Sequence, residues 1–423
     1  SVETRVEALR RDLYASLRRA ELRKTNIDSL QAVYMKQYDL SKDFFSKLND
    51  KELAQQDSTL EANTSIHTGD LRSMNTNPIY VILDACYNGS FHEDDYIAGH
   101  YIFNEGNTIA AQGNTRNVLQ DKWTMNLTGL LSYGVRLGKI HNMNVTLESH
   151  LIGDPTFHFG TKEREKLNDK LNTASTNYWK GLLKKQNPIY QSLALRKLVD
   201  FNIDMSTILF DHFNNSPYRT VRLQALRLLA NYNDQNFKNC VAKGLTDEYE
   251  MIARQAAIYA GRIGDTSLLK GLANVWVNDK SRQRVQYNIE SNLRVFKKDA
   301  VEQAFVKALE HSNRSDKQAE IDKLKKSFSK KDFPETGFEQ LINKNTPVSV
   351  RIDNARSIRN YNYHDKVDAY FSIIKDSNEP TELCVALAEA LGWFNHSYVK
   401  HKIITLCNEL INTNIPKELK EEL

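Results

Sequence analysis

Apolar positions at the start of the chain recur at helical spacing. Val2, Val6, Leu9, Leu13, Leu17 and Ala20 fall on one face, with charged residues between them. Asn26 or Asp28 can cap a second helix carrying Leu30, Val33 and Tyr34, and Ser41 a third carrying Phe44, Phe45, Leu48 and Leu53. From residue 58 to about 160 the pattern changes, and short β-favouring runs separate turn signals. Pro78 precedes the run Ile79 to Leu83, and Asn88-Gly89-Ser90 follows it, as expected for a buried strand. Thr108 to Gln112 reads as a second strand, Tyr96 to Phe103 as a short helix, and Trp123 to Val135 as another. Strands separated by helical segments predict a βαβ unit and a parallel sheet. Two strands are too few for a complete doubly wound domain, so the sheet reads as partial.

From residue 161 to 423 the pattern is almost wholly helical, and it repeats. Val221 to Asp234 aligns with Ile252 to Asp265 at an offset of 31, matching Gln224 to Gln255, Ala225 to Ala256 and Asp234 to Asp265. An earlier copy runs from Leu193 to Asp204, and looser copies span Val285 to Asp299, Val350 to Asp365 and Cys384 to His396. Small residues on a helix, a polar turn and a second helix resemble HEAT-type repeats. Units of that kind stack into an α-solenoid because none buries its apolar face alone.

Charge and cysteine content narrow the field. Lys+Arg number 57 against 53 Asp+Glu, a balance that argues against a dedicated nucleic-acid binder. The arginines at 5, 10, 11, 18, 19 and 23 are interleaved with Glu3, Glu7, Asp12 and Glu21, the pattern of a solvated helix face. Four dispersed cysteines (Cys86, Cys240, Cys384, Cys407) give neither zinc-type spacing nor a disulfide framework, so no metal or cofactor is expected. No stretch approaches the ~18 apolar residues of a membrane span. The chain opens at Ser1 directly in a helical pattern, so an upstream segment is expected to have been removed.

Cys86 carries the candidate chemistry. It stands where the Ile79–Leu83 strand leaves its sheet, the edge at which open α/β folds place ligands and reactive groups. It reads either as a nucleophile or as a small buried hydrophobe. Three blocks bear on the choice: Asp84-Ala85-Cys86-Tyr87-Asn88-Gly89-Ser90-Phe91, Gly106 to Thr115, and Leu151-Ile152-Gly153-Asp154-Pro155-Thr156. In this order they resemble the gingipain-type cysteine peptidases, a family of the caspase-like fold, over about a fifth of the chain. The resemblance implies that Cys86 is the nucleophile, with its own backbone N–H as one oxyanion donor. A histidine would then protonate the leaving amine. It also implies a protein or peptide substrate, an extracytoplasmic setting, and a pocket walled by Asp84, Gln112, Gly113 and Asn114.

The family expects an apolar strand ending in His-Gly upstream of the cysteine. The upstream histidine here is His67, in Ser65-Ile66-His67-Thr68-Gly69, where a threonine intervenes and the preceding residues are polar. The base is therefore His67 or lies on a segment before Ser1. His92 reads as a loop histidine in preference to a substrate contact, and His141, His150 and His158 share no metal-ligand spacing. Glu93-Asp94-Asp95 reads as a cap for the helix near Tyr96 in preference to a selector of basic substrate side chains. The expected organisation is a helical segment over 1–57, a partial caspase-like α/β segment over 58–160 and a HEAT-like solenoid over 161–423. Three readings fit it. The leading one is a cysteine endopeptidase whose solenoid binds proteins. The second is a catalytically inactive, peptidase-like scaffold whose solenoid carries the function, and the third a purely structural fragment of a larger processed protein.

Overall fold

The computed structural model describes residues 2–74, 77–118, 125–144, 146–162, 166–201, 203–329 and 333–423. It is mostly helical, with one small mixed sheet. Two compact units divide the chain. Ser1–Leu119 with Arg136–His158 form the first, and Gln120–Val135 with Phe159–Leu423 the second.

The first unit begins with α1 (Val2–Leu22) and α2 (Ile27–Tyr38), whose N-cap Asn26 accepts from the Ser29 N–H at 2.9 Å. The expected third helix is divided. Lys42–Phe45 forms one 3-10 turn, and α3 (Lys51–Thr64) starts afresh where the Asp50 carboxylate accepts from the Glu52 and Leu53 N–H groups. A carboxylate at an N-cap satisfies donors that a continuing helix would bond internally, so it restarts the helix. Leu13, Tyr14, Leu17 and Phe45 form the core of this bundle. The arginine-rich face of α1 is only partly solvated. Arg10 forks onto Asp57 at 2.7 and 3.0 Å, Arg18 reaches the same carboxylate at 3.4 Å, and both guanidinium groups flank the Tyr14 ring. Arg10 holds the Asp57 carboxyl below its ordinary range.

After α4 (Thr68–Ser73) come β1 (Tyr80–Ile82), α5 (Ile97–Phe103), β2 (Ala110–Asn114), α6 (Leu137–Asn144) and β3 (Ser149–Gly153). The sheet order is β1-β2-β3. β1 runs parallel to β2, with Tyr80 opposite Ala110, as the βαβ pattern predicts. β3 is antiparallel to β2, with Gly113 opposite His150. The buried centre is β2, all five of whose residues are buried; β1, expected to be buried, is only half-buried because it forms an edge of the sheet.

In the second unit, Thr128–Tyr133 is a 3-10 turn ending at Gly134 where a helix from Trp123 was expected; Trp123 itself lies outside the described residues. The helices α7 (Leu167–Thr173) and α8 (Thr176–Leu183) precede α9 (Pro188–Asp200), α10 (Ser206–Asn215), α11 (Arg219–Leu229) and α12 (Gln235–Gly244). α13 (Glu250–Ile263), α14 (Leu269–Asn278), α15 (Gln283–Leu293) and α16 (Lys298–Glu310) continue the series. α17 (Lys317–Ser329), α18 (Phe333–Ile342), α19 (Val348–Ser357), α20 (Val367–Ile374), α21 (Thr381–Leu391), α22 (Lys400–Ile411) and α23 (Lys417–Glu422) complete it.

Packing in this unit follows the sequence repeat. α9 packs on α11, α11 on α13 and α13 on α15, while α10 packs on α12 and α14 on α16. The aligned aspartates share one task. The carboxylates of Asp204, Asp234 and Asp265 accept from the N–H groups of Ser206, Phe237 and Ser267 at 2.9–3.0 Å, each closing the turn into the following helix. Asp234 also holds the Ser206 hydroxyl, and Lys238 holds Asp265, so each turn is tied to the next.

Arg351, which follows Val350 as Arg222 follows Val221, is 2% exposed. Its guanidinium forks onto Glu379 at 2.6 and 2.9 Å, and its Nε donates to the Leu341 carbonyl at 2.8 Å. Removing one member of such a pair strands a buried charge. Arg351→Ala is therefore expected to destabilise the α18–α23 region by about 3–5 kcal/mol. Urea denaturation monitored in that region checks this; a loss within the ~1 kcal/mol of an exposed pair would contradict it.

Candidate active site

The turn after β1 separates into an exposed tip and a buried root. Asp84, Ala85, Cys86 and Tyr87 are exposed, whereas Asn88, Gly89 and Ser90 are buried. The root is bolted to β2. The Gly89 N–H donates to the Asn114 carbonyl at 2.9 Å, and the Asn114 N–H donates back to the Asn88 side chain at 2.9 Å. The Asn114 amide then donates to the carbonyls of Leu83 and Ala85, at 3.2 and 3.3 Å. Gly89 and Gly113 meet backbone to backbone, and a Cβ on Gly89 would lie 2.5 Å from the Gly113 carbonyl carbon. Only glycine permits that approach.

Tyr87, next to Cys86, has φ +58, a conformation that non-glycine residues seldom adopt. Such backbone strain is held only where surrounding bonds over-determine it, and it gathers at functional turns. Cys86 Sγ accepts the Val118 N–H at 3.3 Å. It is the one exposed thiol among the four. Cys240 and Cys384 are buried, and burial pushes their thiols up to about 12 and about 11.

His67 is exposed at the N-cap of α4, where its backbone N–H donates to the Asp70 carboxylate at 2.8 Å. Among the described residues no imidazole hydrogen-bonds the Cys86 thiol. α4 is nevertheless tied to the segment that follows the cysteine turn. Asp95 accepts from the Thr68 hydroxyl at 3.0 Å, pairs with Arg72 at 3.0 Å and binds His100. The bond to His100 leads the interactions that hold the Asp95 carboxyl below its ordinary range. The acidic run was expected to cap α5, but Tyr96 occupies that cap and makes no side-chain bond, while Asp95 joins α4 to α5. His92 is exposed, with Glu93 at 3.7 Å.

The expected pocket walls divide in the same way as the turn. Asp84 is exposed beside Cys86. Gln112, Gly113 and Asn114 are buried, and their polar groups serve the sheet. Gln112 accepts from the Tyr80 hydroxyl at 3.0 Å and donates to Ser149 at 3.2 Å, while Asn114 anchors the turn. Residues that the sequence did not assign to a pocket shape the open space instead. A cleft of about 1080 Å³ is lined by Phe91, His141, Leu147, His150, Leu151 and Pro155, among others. His150 contacts the Thr115 hydroxyl at 3.1 Å and meets the Phe91 ring edge-on at 4.9 Å. Burial, helped by neighbouring His150, holds the His141 imidazole below its ordinary value. The sequence signals for this cleft were Phe91 in the cysteine block and Leu151 and Pro155 in the third block; β3 was not foreseen as a strand.

The Gly-Asp-Pro-Thr block closes the unit. The Asp154 N–H donates to the Ile109 carbonyl at 3.0 Å, and the Asp154 carboxylate accepts from the Thr156 N–H and hydroxyl at 2.7 and 2.6 Å. The Gly138 N–H donates to the Pro155 carbonyl at 2.8 Å, which seats α6.

No protein-family model matches the chain, and a search of curated proteins found no match at the level required. The site is therefore read from its own geometry.

Gly89→Ala forces a Cβ into backbone rather than into a flexible side chain, so the turn must move. Overpacking of this kind costs about 1–3 kcal/mol. The expected result is a lower melting temperature for the first unit and a changed alkylation rate at Cys86, while amide exchange in α9–α16 stays as in the wild type. Wild-type melting and wild-type Cys86 reactivity in this variant would contradict the close approach.

Proposed function

We propose that the first unit is a cysteine endopeptidase of the gingipain or caspase-like type, with Cys86 as nucleophile. One observation carries the reading. The three blocks that resemble that family are separated by tens of residues in sequence, yet they meet on one sheet. The cysteine block leaves β1, the Gly106–Thr115 block builds β2, and the Leu151–Thr156 block ends β3. Cys86 thus stands exposed beyond the carboxyl end of a parallel strand, on a strained turn whose root is fixed to its neighbour.

In this reading the Cys86 thiolate attacks the scissile carbonyl, and the Cys86 N–H receives the developing oxyanion. An imidazole, for which His67 is the candidate, gives its proton to the departing amine. Water then adds to the thioester, the imidazole takes up one of its protons, and the acid product leaves with Cys86 restored. The second unit is read as a HEAT-type α-solenoid that binds a protein partner or substrate; the stacking of α9, α11, α13 and α15 supports this. A second reading, a peptidase-like scaffold without catalysis, draws on the Cys86 thiol, whose bonded partner is a backbone N–H and not an imidazole.

Exposure alone makes Cys86 the first thiol to be alkylated, so position of labelling does not separate the two readings. Rate does. A catalytic Cys86 is expected to react with a peptidyl acyloxymethyl ketone at least ~10-fold faster than a cysteine in an unstructured peptide, because reactivity follows thiolate character. His67→Ala should remove that excess if His67 is the base. A Cys86 rate equal to that of the peptide thiol, mapped by mass spectrometry, sinks the catalytic reading in favour of the scaffold.

A further inference from the structure

Within the second unit, two histidines from the C-terminal helices reach back to the repeat. His364, in the turn before α20, is 3% exposed. Its Nε2 donates to the Gly261 carbonyl at 2.9 Å, and its Nδ1 accepts from the Ser397 hydroxyl at 2.7 Å. A carbonyl can only accept, so Nε2 carries a proton, and in the neutral ring Nδ1 is the acceptor. His396 packs against Phe237 and Tyr259, at ring distances of 5.8 and 5.7 Å, with the Ala230 carbonyl as its polar neighbour. Its Nδ1 is buried and has no hydrogen-bond partner. Ala230 and Gly261 are equivalent positions of the 31-residue repeat. Two imidazoles therefore meet equivalent carbonyls, one at the C-cap of α11 and one in the last turn of α13. Between them the Tyr398 N–H donates to the Ile263 carbonyl at 2.9 Å.

The helices that carry these histidines have a core of their own. Leu341, Tyr370, Leu387, Phe394 and Leu410 belong to a cluster drawn entirely from residues 338–423. The apolar contacts of that cluster are made among its own residues and do not depend on the α11 and α13 turns. We propose that the His364 and His396 contacts form an acid-released clasp, closed while both rings are neutral and opened by their protonation, uncovering the Phe237 and Tyr259 rings.

The charged surroundings give the clasp its direction. A proton on His396 Nδ1 would be a buried donor without an acceptor, with Arg262 of α13 and Lys400 of α22 adding like charge. Beside His364 stand Asp365, already paired with Lys366 at 3.3 Å, and the Tyr398 ring. Asp265 and Lys402 act on Tyr398, and Asp265 is engaged by Lys238. Burial pushes both imidazoles down to about 4 from an ordinary 6.5. A group whose pKa is depressed in the closed state stabilises that state fully above its free value and loses this contribution as pH falls toward the closed value. At pH 5 each imidazole then favours opening about 30-fold, and the two together about 900-fold.

Hydrogen exchange on the full chain tests this, with the Tyr398 amide as reporter. After division by the intrinsic exchange rate, its protection should fall about 700-fold between pH 7.5 and pH 5. The Leu226 and Ala256 amides should keep theirs. His396→Gln should reduce the fall to about 30-fold, and the His364→Gln/His396→Gln pair should abolish it. Should that pair not fold, imidazole NMR of the wild type decides, with both rings titrating below 6.5 in step with loss of the Tyr398 amide. Constant Tyr398 protection overturns the clasp. So does equal loss at Leu226 and Ala256, or titration at 6.5 with Tyr398 still protected.

Discussion

The contact between Gly89 and Gly113 is the constraint on which the candidate site depends. A side chain on Gly89 would press into the β2 backbone. The bonds from the Gly89 N–H to the Asn114 carbonyl and from the Asn114 N–H to the Asn88 side chain could not then form at their present lengths. Because that root is buried and doubly bonded, the tip can carry the αL strain at Tyr87 and hold Cys86 in solvent. The polar groups of β2 face inward for the same reason. Gln112 and Asn114 align the strands and the turn, while a cleft in the same unit is lined by Phe91, His141 and His150 among others.

Local signals were legible where one chemical group decides the local structure. Asn26 at the head of α2, the β-favouring run before Cys86, and the aspartates at 204, 234 and 265 each act over a few residues, and the sequence displays them directly. Features that depend on distant partners were not legible. β3 pairs antiparallel with β2 across a long intervening segment, and its run Ser149–Gly153 contains both a histidine and a serine. Asp95 could have capped α5, but three donors from Thr68, Arg72 and His100 outcompete the helix end. Arg10 and Arg18 read as surface charge because Asp57, which gathers them, lies two helices away. The burial of His364 and His396 follows from contacts with residues more than a hundred positions earlier, which no local pattern displays.

The two units show different economies of packing. In the second, small residues such as Ala225, Ala256 and Ala257 are wholly buried, so the helices approach closely and the aspartate turns set their succession. In the first, a three-stranded sheet with a half-buried edge at β1 holds its corner through polar side chains and glycine. The proposed chemistry belongs to that corner, and the proposed binding surface to the helices.

Cleavage of an unfolded protein substrate tests the central claim most directly. The full chain is incubated with reduced, carboxymethylated protein, and the products are sequenced by mass spectrometry. The account predicts internal cleavage by the wild type and none by Cys86→Ser, which keeps the wild-type melting temperature because position 86 is exposed. Cleavage that persists in Cys86→Ser, or an intact substrate with correctly folded wild type, would contradict Cys86 as the nucleophile of a peptidase.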